Sequence, residues 1–309
     1  MSQTYQAILL IAFGGPTSPD EIRPFLARVT QGIPIPPERL EEVAHHYEAV
    51  GGKSPLNEIT FCQAKALEKL LAAQGSRLPV YVGMRNSSPF FSETLDRMVS
   101  DGVRNALGFI LSSHRTEASW ERYQKNIAEA RAELGVNAPA VDYCAGWHDH
   151  PLFIQTWAEL IDAAYDGIGA DRRKSTPLLF TAHSLPVPMA ARSPYVEQIE
   201  TSARLTAERL DHPRWSLAYQ SRSGKPSDPW LEPEIGAALR KLAAEGCREV
   251  VVAPIGFVCD HVEVLYDLDI EARKIANDSN LAMVRASCPN DHATFIRMIA
   301  EVINAKLGV

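Results

Sequence analysis

Cysteine is scarce, at five in 309 residues. Cys62, Cys144, Cys247, Cys259 and Cys288 are odd in number and widely spaced, with no C-x-x-C and no Cys/His pairing of the zinc kind. That pattern excludes a disulfide framework and a zinc module and reads as reduced thiols, mostly buried. Long apolar runs are missing too. The longest, 7–13 and 250–258, fall far short of the roughly 20 residues of a membrane helix. The opening MSQTYQ has no basic start, so no signal peptide is expected and the expected location is cytoplasmic. Positive charge is not in excess: 31 Lys and Arg against 38 Asp and Glu leave a net charge of −7, which gives no cationic field for a phosphate backbone. Nucleic acid is therefore not an expected partner. No segment combines low hydropathy with high charge as disordered chains do, and internal repetition at the residue level is faint.

What is present is ordinary globular composition, 46% hydrophobic and 22% charged, in a chain longer than one core usually fills. Two domains follow. Short β-branched runs at 6–13, 79–84, 105–112, 140–143, 176–182, 215–219, 248–254 and 281–286 alternate with segments of helical period. Several of these runs are apolar on both faces, as in a parallel sheet covered by helices on each side. The expected fold class is α/β, with two Rossmann-like lobes, each a four-stranded parallel sheet flanked by helices. The expected division is 1–148, 149–289 and a last helix at 290–309. The boundary follows from the helical segment 149–167 and the polar stretch Asp171-Arg172-Arg173-Lys174-Ser175.

In open α/β sheets ligands sit beyond the carboxyl ends of the strands, so the residues there matter most. After the first run comes Phe13-Gly14-Gly15-Pro16, a tight turn or a close approach to a ligand, without the G-x-G-x-x-G of dinucleotide sites. Gly51-Gly52-Lys53-Ser54 resembles the end of a phosphate loop. Tyr47 stands where that loop needs glycine, and Pro55 blocks the helix that should follow, which excludes an NTPase and leaves a turn presenting Lys53 and Ser54. His183 ends a strand, suited to general base or metal ligand and equally to a structural hydrogen bond. Downstream, Glu263, Asp267 and Glu271 recur at helical spacing on one face, where three carboxylates repel unless a cation or proton relieves them. Asp260 with Glu263 also reads as a D-x-x-E capping box. Both His183 and Glu263 follow apolar strands of the same half, so an imidazole and an acid stripe can share one site, a set suited to Fe²⁺ and protons. The polar loop Gln220–Trp230 suits an anionic flat ligand or a rigid turn, and Ser119, Tyr123 and Arg85 are further polar candidates.

Together, LLIAFGGP, HYEAVGGKSPLN, VYVGMRNSSPF, FTAHSLP, QSRSGKPSDPWLEP and PIGFVCDHVEVLYDLDIEA make the chain resemble the ferrochelatase family, most like its coproporphyrin branch of actinobacterial type. The resemblance runs nearly end to end. It implies a porphyrin cleft between the two lobes, the last helix packing back on the first lobe, and insertion of Fe²⁺ into coproporphyrin III with release of two protons. It further implies that His183 and Glu263 handle protons and metal while Asp267 and Glu271 continue an acidic path to solvent. Phe13, Ser119, Tyr123, Trp230 and Ile255 would line the porphyrin. Phe13 stands where one branch has a metal-binding tyrosine, and Thr30-Gln31 where that branch has two arginines, so Arg85, Lys53, Ser54 or backbone N–H groups are the expected carboxylate contacts. The tail and 116–123 lack the cysteines that hold a [2Fe–2S] cluster in some relatives, so no resident cofactor is expected, and Fe²⁺ enters as substrate. The short, soon polar stretch 32–39 favours a soluble enzyme acting on the four-carboxylate coproporphyrin, and a monomer is expected. Transient contact with other haem-pathway enzymes or an iron donor is also expected. The alternatives are a protoporphyrin IX ferrochelatase, a cobalt or nickel chelatase of another tetrapyrrole, and a haem or porphyrin carrier.

Overall fold

Where a chain is apolar on both faces for five or six residues, a central strand of a covered sheet is its natural place. The computed structural model describes residues 5–32, 35–169, 172–223 and 228–308. Its strands are β1 (Ala7–Ala12), β2 (Val80–Met84), β3 (Asn105–Ile110), β4 (Ala140–Tyr143), β5 (Leu178–His183), β6 (Trp215–Gln220), β7 (Glu249–Ala253) and β8 (Ala282–Arg285). They form two four-stranded parallel sheets, ordered β2-β1-β3-β4 and β6-β5-β7-β8. Counted from its own first strand, each sheet has the same order, so the duplication is one of topology. The order reverses between β1 and β3 and again between β5 and β7, and these switch points leave a crevice beyond the strand ends.

The chain divides into unit 1 (Met1–Ser112, Ala118–Gly146, Asp291–Val309) and unit 2 (Ser113–Glu117, Trp147–Asn290). In unit 1 one face of the sheet packs Leu9, Ile11 and Ile110 against Leu95, Met98 and Ile127, from helices Phe91–Ser100 and Arg122–Leu134. Helix Ala293–Leu307 packs against helix Leu56–Ala73 in the same unit. In unit 2, Leu179, Val250 and Val252 meet Leu239, Val264, Leu268 and Ala276. Each such fully buried side chain is worth about 1.5–3 kcal/mol.

The boundary differs from the sequence expectation at 113–117, which joins unit 2 rather than the first lobe. The reason is local. His114 is buried with its Nε2 3.0 Å from the Ser202 hydroxyl, and the Arg115 N–H donates to Gln198 Oε1 at 2.7 Å. Among the described residues no helix is long and apolar enough to cross a membrane, and the five cysteines are free thiols. Met1–Thr4, the Ile33-Pro34 part of the expected lip, Asp171, Gly224–Ser227 of the polar loop and Val309 lie outside the described residues.

Candidate active site

β5 and β7 flank the switch point of unit 2, and the chemistry-bearing residues follow both. β5 ends on His183 because Leu178–Ala182 are buried and the next residues turn at Pro186. The turn is held on three sides. The Ser184 N–H donates to the Gln220 carbonyl at 2.7 Å, the Ser184 hydroxyl donates to the Leu231 carbonyl at 3.0 Å, and the Tyr195 hydroxyl donates to the His183 carbonyl at 2.9 Å. The Ser184 carbonyl accepts from His183 Nδ1, which aims Nε2 at Glu263 Oε1, 3.6 Å away.

β7 leads into Pro254-Ile255-Gly256, which crosses close over the end of β5. A Cβ on Gly256 would lie 2.7 Å from the Cβ of Ala182 and 2.8 Å from its Cα, so only glycine permits the approach. Helix Val262–Leu265 then presents Glu263, and the chain widens into a π-helical segment, Asp267–Ala272, in which the Glu271 N–H donates to the Tyr266 carbonyl at 3.0 Å. Such widenings concentrate at functional sites because they re-aim side chains without ending the helix. Along this row Glu263 and Asp267 are part-buried and Glu271 is exposed.

The capping box expected from Asp260 and Glu263 does not form. His261 occupies the cap position, and Asp260 instead accepts from Asn290 at 2.8 Å and pairs with Arg285 at 3.1 Å. Arg285 also pairs with Asp269 at 2.8 Å, so the largely buried guanidinium clamps the acid-bearing segment to the end of β8. The carboxylate of Glu263 is thereby left for imidazoles. Its Oε2 lies 3.5 Å from Nε2 of His261, whose Nδ1 faces the Cys259 carbonyl at 3.2 Å.

The electrostatics follow from these contacts. Burial pushes the His183 pKa down, but the Glu263 charge, the Ser184 carbonyl and the Asp267 charge outweigh it and raise the imidazole to about 9. For Glu263, burial pushes up, and the two imidazoles hold it well below the usual carboxylate range. The pair therefore rests as imidazolium and carboxylate. Asp267 is raised to about 7, first by burial, then by the charges of Glu263 and Glu271, against the pull of its hydrogen bond from Ser221 and of His183. Among the described residues no three His, Cys, Asp or Glu side chains converge as a cage for an ion.

Of the expected contacts, the structure brings His183, Glu263 and Asp267 together, with Glu271 next in the row. Trp230 is part-buried beside the same turn, bridged to Pro186. Ile255 does not line an open surface: it is fully buried, because the crossing loop turns it into the core. In unit 1, Ser54 is likewise enclosed (3% exposed), its hydroxyl accepting from the Leu56 N–H at 3.3 Å where helix Leu56–Ala73 begins, so the turn does not present it. Lys53 is exposed but paired with Glu58 at 2.8 Å. Tyr123 is buried edge-on against Phe91, Ser119 is part-buried, and Phe13 packs edge-on against Phe25. Arg85 is part-buried with no hydrogen-bond acceptor or acid against its guanidinium among the described residues, and burial lowers its pKa. Gly14, at φ +81° and against Ser87, makes the tight turn that was one of the two readings of that motif.

Sequence reasoning missed the roles of His261, Ser184 and Tyr195, and saw in Gln220 and Ser221 only a polar loop. The available signal was register, since Gln220 ends the strand next to that of His183 and is its Cα partner.

Comparison with known proteins gives this geometry a context. The Ferrochelatase family model matches residues 5–307. A ferrochelatase of Rhodopirellula baltica is 41% identical over 305 residues, 98% of this chain and 87% of that protein. A coproporphyrin III ferrochelatase of Mycolicibacterium smegmatis is 40% identical over 307 residues, 98% of this chain and 90% of that protein. Among solved structures, SirB from Bacillus subtilis with Fe³⁺ has a TM-score of 0.61 at 10% identity, covering 98% of this chain and 96% of that one, a likeness of fold alone. Since the family match and the relatives at 40–41% identity each span nearly the whole chain, it belongs to the ferrochelatase family.

Proposed function

We propose that this chain inserts Fe²⁺ into coproporphyrin III, giving coproheme and two protons, as a cytoplasmic enzyme without a resident cofactor. The observation that carries the proposal is the His183–Glu263 pair at 3.6 Å with Asp267 beside it, at the switch point of unit 2. Insertion replaces two pyrrole N–H bonds by bonds to iron, so the site must accept two protons and draw water from a cation. It needs no covalent nucleophile. Glu263, held ionised, attracts the cation. His183 accepts the two pyrrole protons in turn, each time after passing the proton it already holds to Asp267, whose pKa near 7 lets it take and release a proton near neutral pH. Glu271, exposed at the end of the row, hands it to water. An open set of donors suits iron that is passing through as substrate. The names of several relatives at 40–41% identity support coproporphyrin III as the tetrapyrrole. For its carboxylates the reading assigns Arg85, whose guanidinium has no acid partner among the described residues, and Lys53 as a rim contact.

An anaerobic assay with Fe²⁺ and, side by side, coproporphyrin III, protoporphyrin IX and sirohydrochlorin tests the proposal by the change in absorption. Insertion into coproporphyrin III is expected to be the fastest. His183→Ala is expected to lose about 10²–10⁴-fold in turnover while still binding porphyrin, the loss typical of a missing general base. A variant that loses affinity and not turnover would assign the protein to carriage instead of chemistry.

A further inference from the structure

Gln220 touches neither iron's expected ligand atoms nor an open surface, yet it is joined to both catalytic segments. As the last residue of β6 it is the Cα partner of His183, and its carbonyl accepts the Ser184 N–H at 2.7 Å, fixing the turn that aims the imidazole. Its side-chain Nε2 donates to the main-chain carbonyl of Glu263, fixing the start of the acid-bearing helix. The residue after it, Ser221, at φ +62°, donates its hydroxyl to the Asp267 carboxylate. One strand end thus touches all three segments.

A second observation separates positioning from packing. Gln220 is 1% exposed, and its buried Oε1 has no hydrogen-bond partner among the described residues. A buried carbonyl oxygen left unpaired costs stability, and an apolar side chain of the same shape would avoid that cost. The amide is therefore a poor choice for holding the fold and a good one for holding Glu263.

We propose that Gln220 is a positioning residue, whose amide sets the separation of His183 and Glu263 for metal insertion. The proposal rests on the insertion reaction assigned above. Gln220→Met keeps the length and volume of the side chain and removes the amide. The expected result is a melting temperature close to that of the parent, since the unpaired Oε1 goes while the Glu263 carbonyl loses its donor, with a porphyrin KM within about twofold and a kcat lower by about 10–100-fold, the scale of a small misplacement of reacting groups. The His183 ring resonances, assigned by their absence in His183→Ala, should shift in a histidine-labelled sample. An unchanged kcat overturns the proposal. So does a variant that unfolds, or whose melting temperature falls with its kcat, since either result makes Gln220 structural. If the parent protein inserts no iron, the reaction itself is refuted, and His183 resonances unmoved by Gln220→Met then overturn the positioning as well.

Discussion

At the scale of single residues, the ion pair of His183 and Glu263 governs how the protein answers to pH. His183 is raised from its ordinary 6.5 to about 9, so its contribution to stability is complete below about pH 6.5 and is lost as pH rises through 9. Glu263 is depressed from 4.5, so its contribution is present above that value and is lost as pH falls through its folded pKa. The pair stabilises the fold between these limits, and thermal unfolding followed from pH 5 to pH 10 should show the loss on the alkaline side. Asp267 acts with the opposite consequence for function. Its pKa of about 7 means that the charged form needed to accept a proton is the one the fold disfavours. Iron insertion by the parent protein should rise with pH about a midpoint near 7. In Asp267→Asn that limb should disappear and kcat should fall by roughly 10²-fold, as for loss of a proton acceptor. The same substitution should raise the melting temperature most at pH 8 and by progressively less as pH falls toward 3.8, because the penalty on the buried carboxylate is complete only above its folded pKa of about 7 and is gone below its ordinary value of 3.8. A variant with parental pH dependence would remove Asp267 from the proton path.

At the scale of elements, two strand ends and one crossing loop set the site. The crossing at Gly256 has no room for a methyl group, with Ala182 backbone 2.8 Å from where the Cβ would stand. Gly256→Ala should therefore cost about 1–3 kcal/mol, as overpacking does, and should lower kcat by moving the segment that carries Glu263 away from β5. Calorimetry and the iron assay on one preparation check both effects. The strands themselves were legible in the chain because runs such as Leu178–Ala182 and Val250–Ala253 are apolar on both faces, a pattern that polar-faced helices do not imitate. His183 and Glu263 were legible for the same reason, as polar residues placed after such runs. Less could be read where the deciding partner is far away in sequence. Asp260 looks like half of a capping box until Arg285 and Asn290 arrive from 25 and 30 residues downstream. Ser54 looks like a presented hydroxyl until the helix it begins encloses it, and Ile255 like a cleft wall until Gly256 turns the loop inward. The π-helical widening at Asp267 has no periodic signature at all, since Glu263, Asp267 and Glu271 keep an α-helical spacing in the sequence.

At the scale of the whole molecule, both units have one topology, and only one of them carries the imidazole and acids. The apolar face of helix Ala293–Leu307 buries Phe295, Ile296, Met298, Ile299 and Ile303 within unit 1, together worth roughly 8–15 kcal/mol. That is comparable to the whole net stability of a typical domain. Ending the chain after Asn290 should therefore leave unit 1 loose, and limited proteolysis should cut it within 5–146 well before it cuts the continuous stretch 147–290. Equal resistance of the two stretches would show that the helix is dispensable. The threading of unit 1 also inverts the usual order of events on the ribosome. Unit 1, begun before unit 2, lacks its closing helix until residues 293–307 are translated, roughly 10–30 s after residue 146 at ordinary elongation speeds, by which time unit 2 is already complete. Of the two units, the one begun earlier is the one completed later, and in that interval its unfinished apolar face is the natural client of a chaperone.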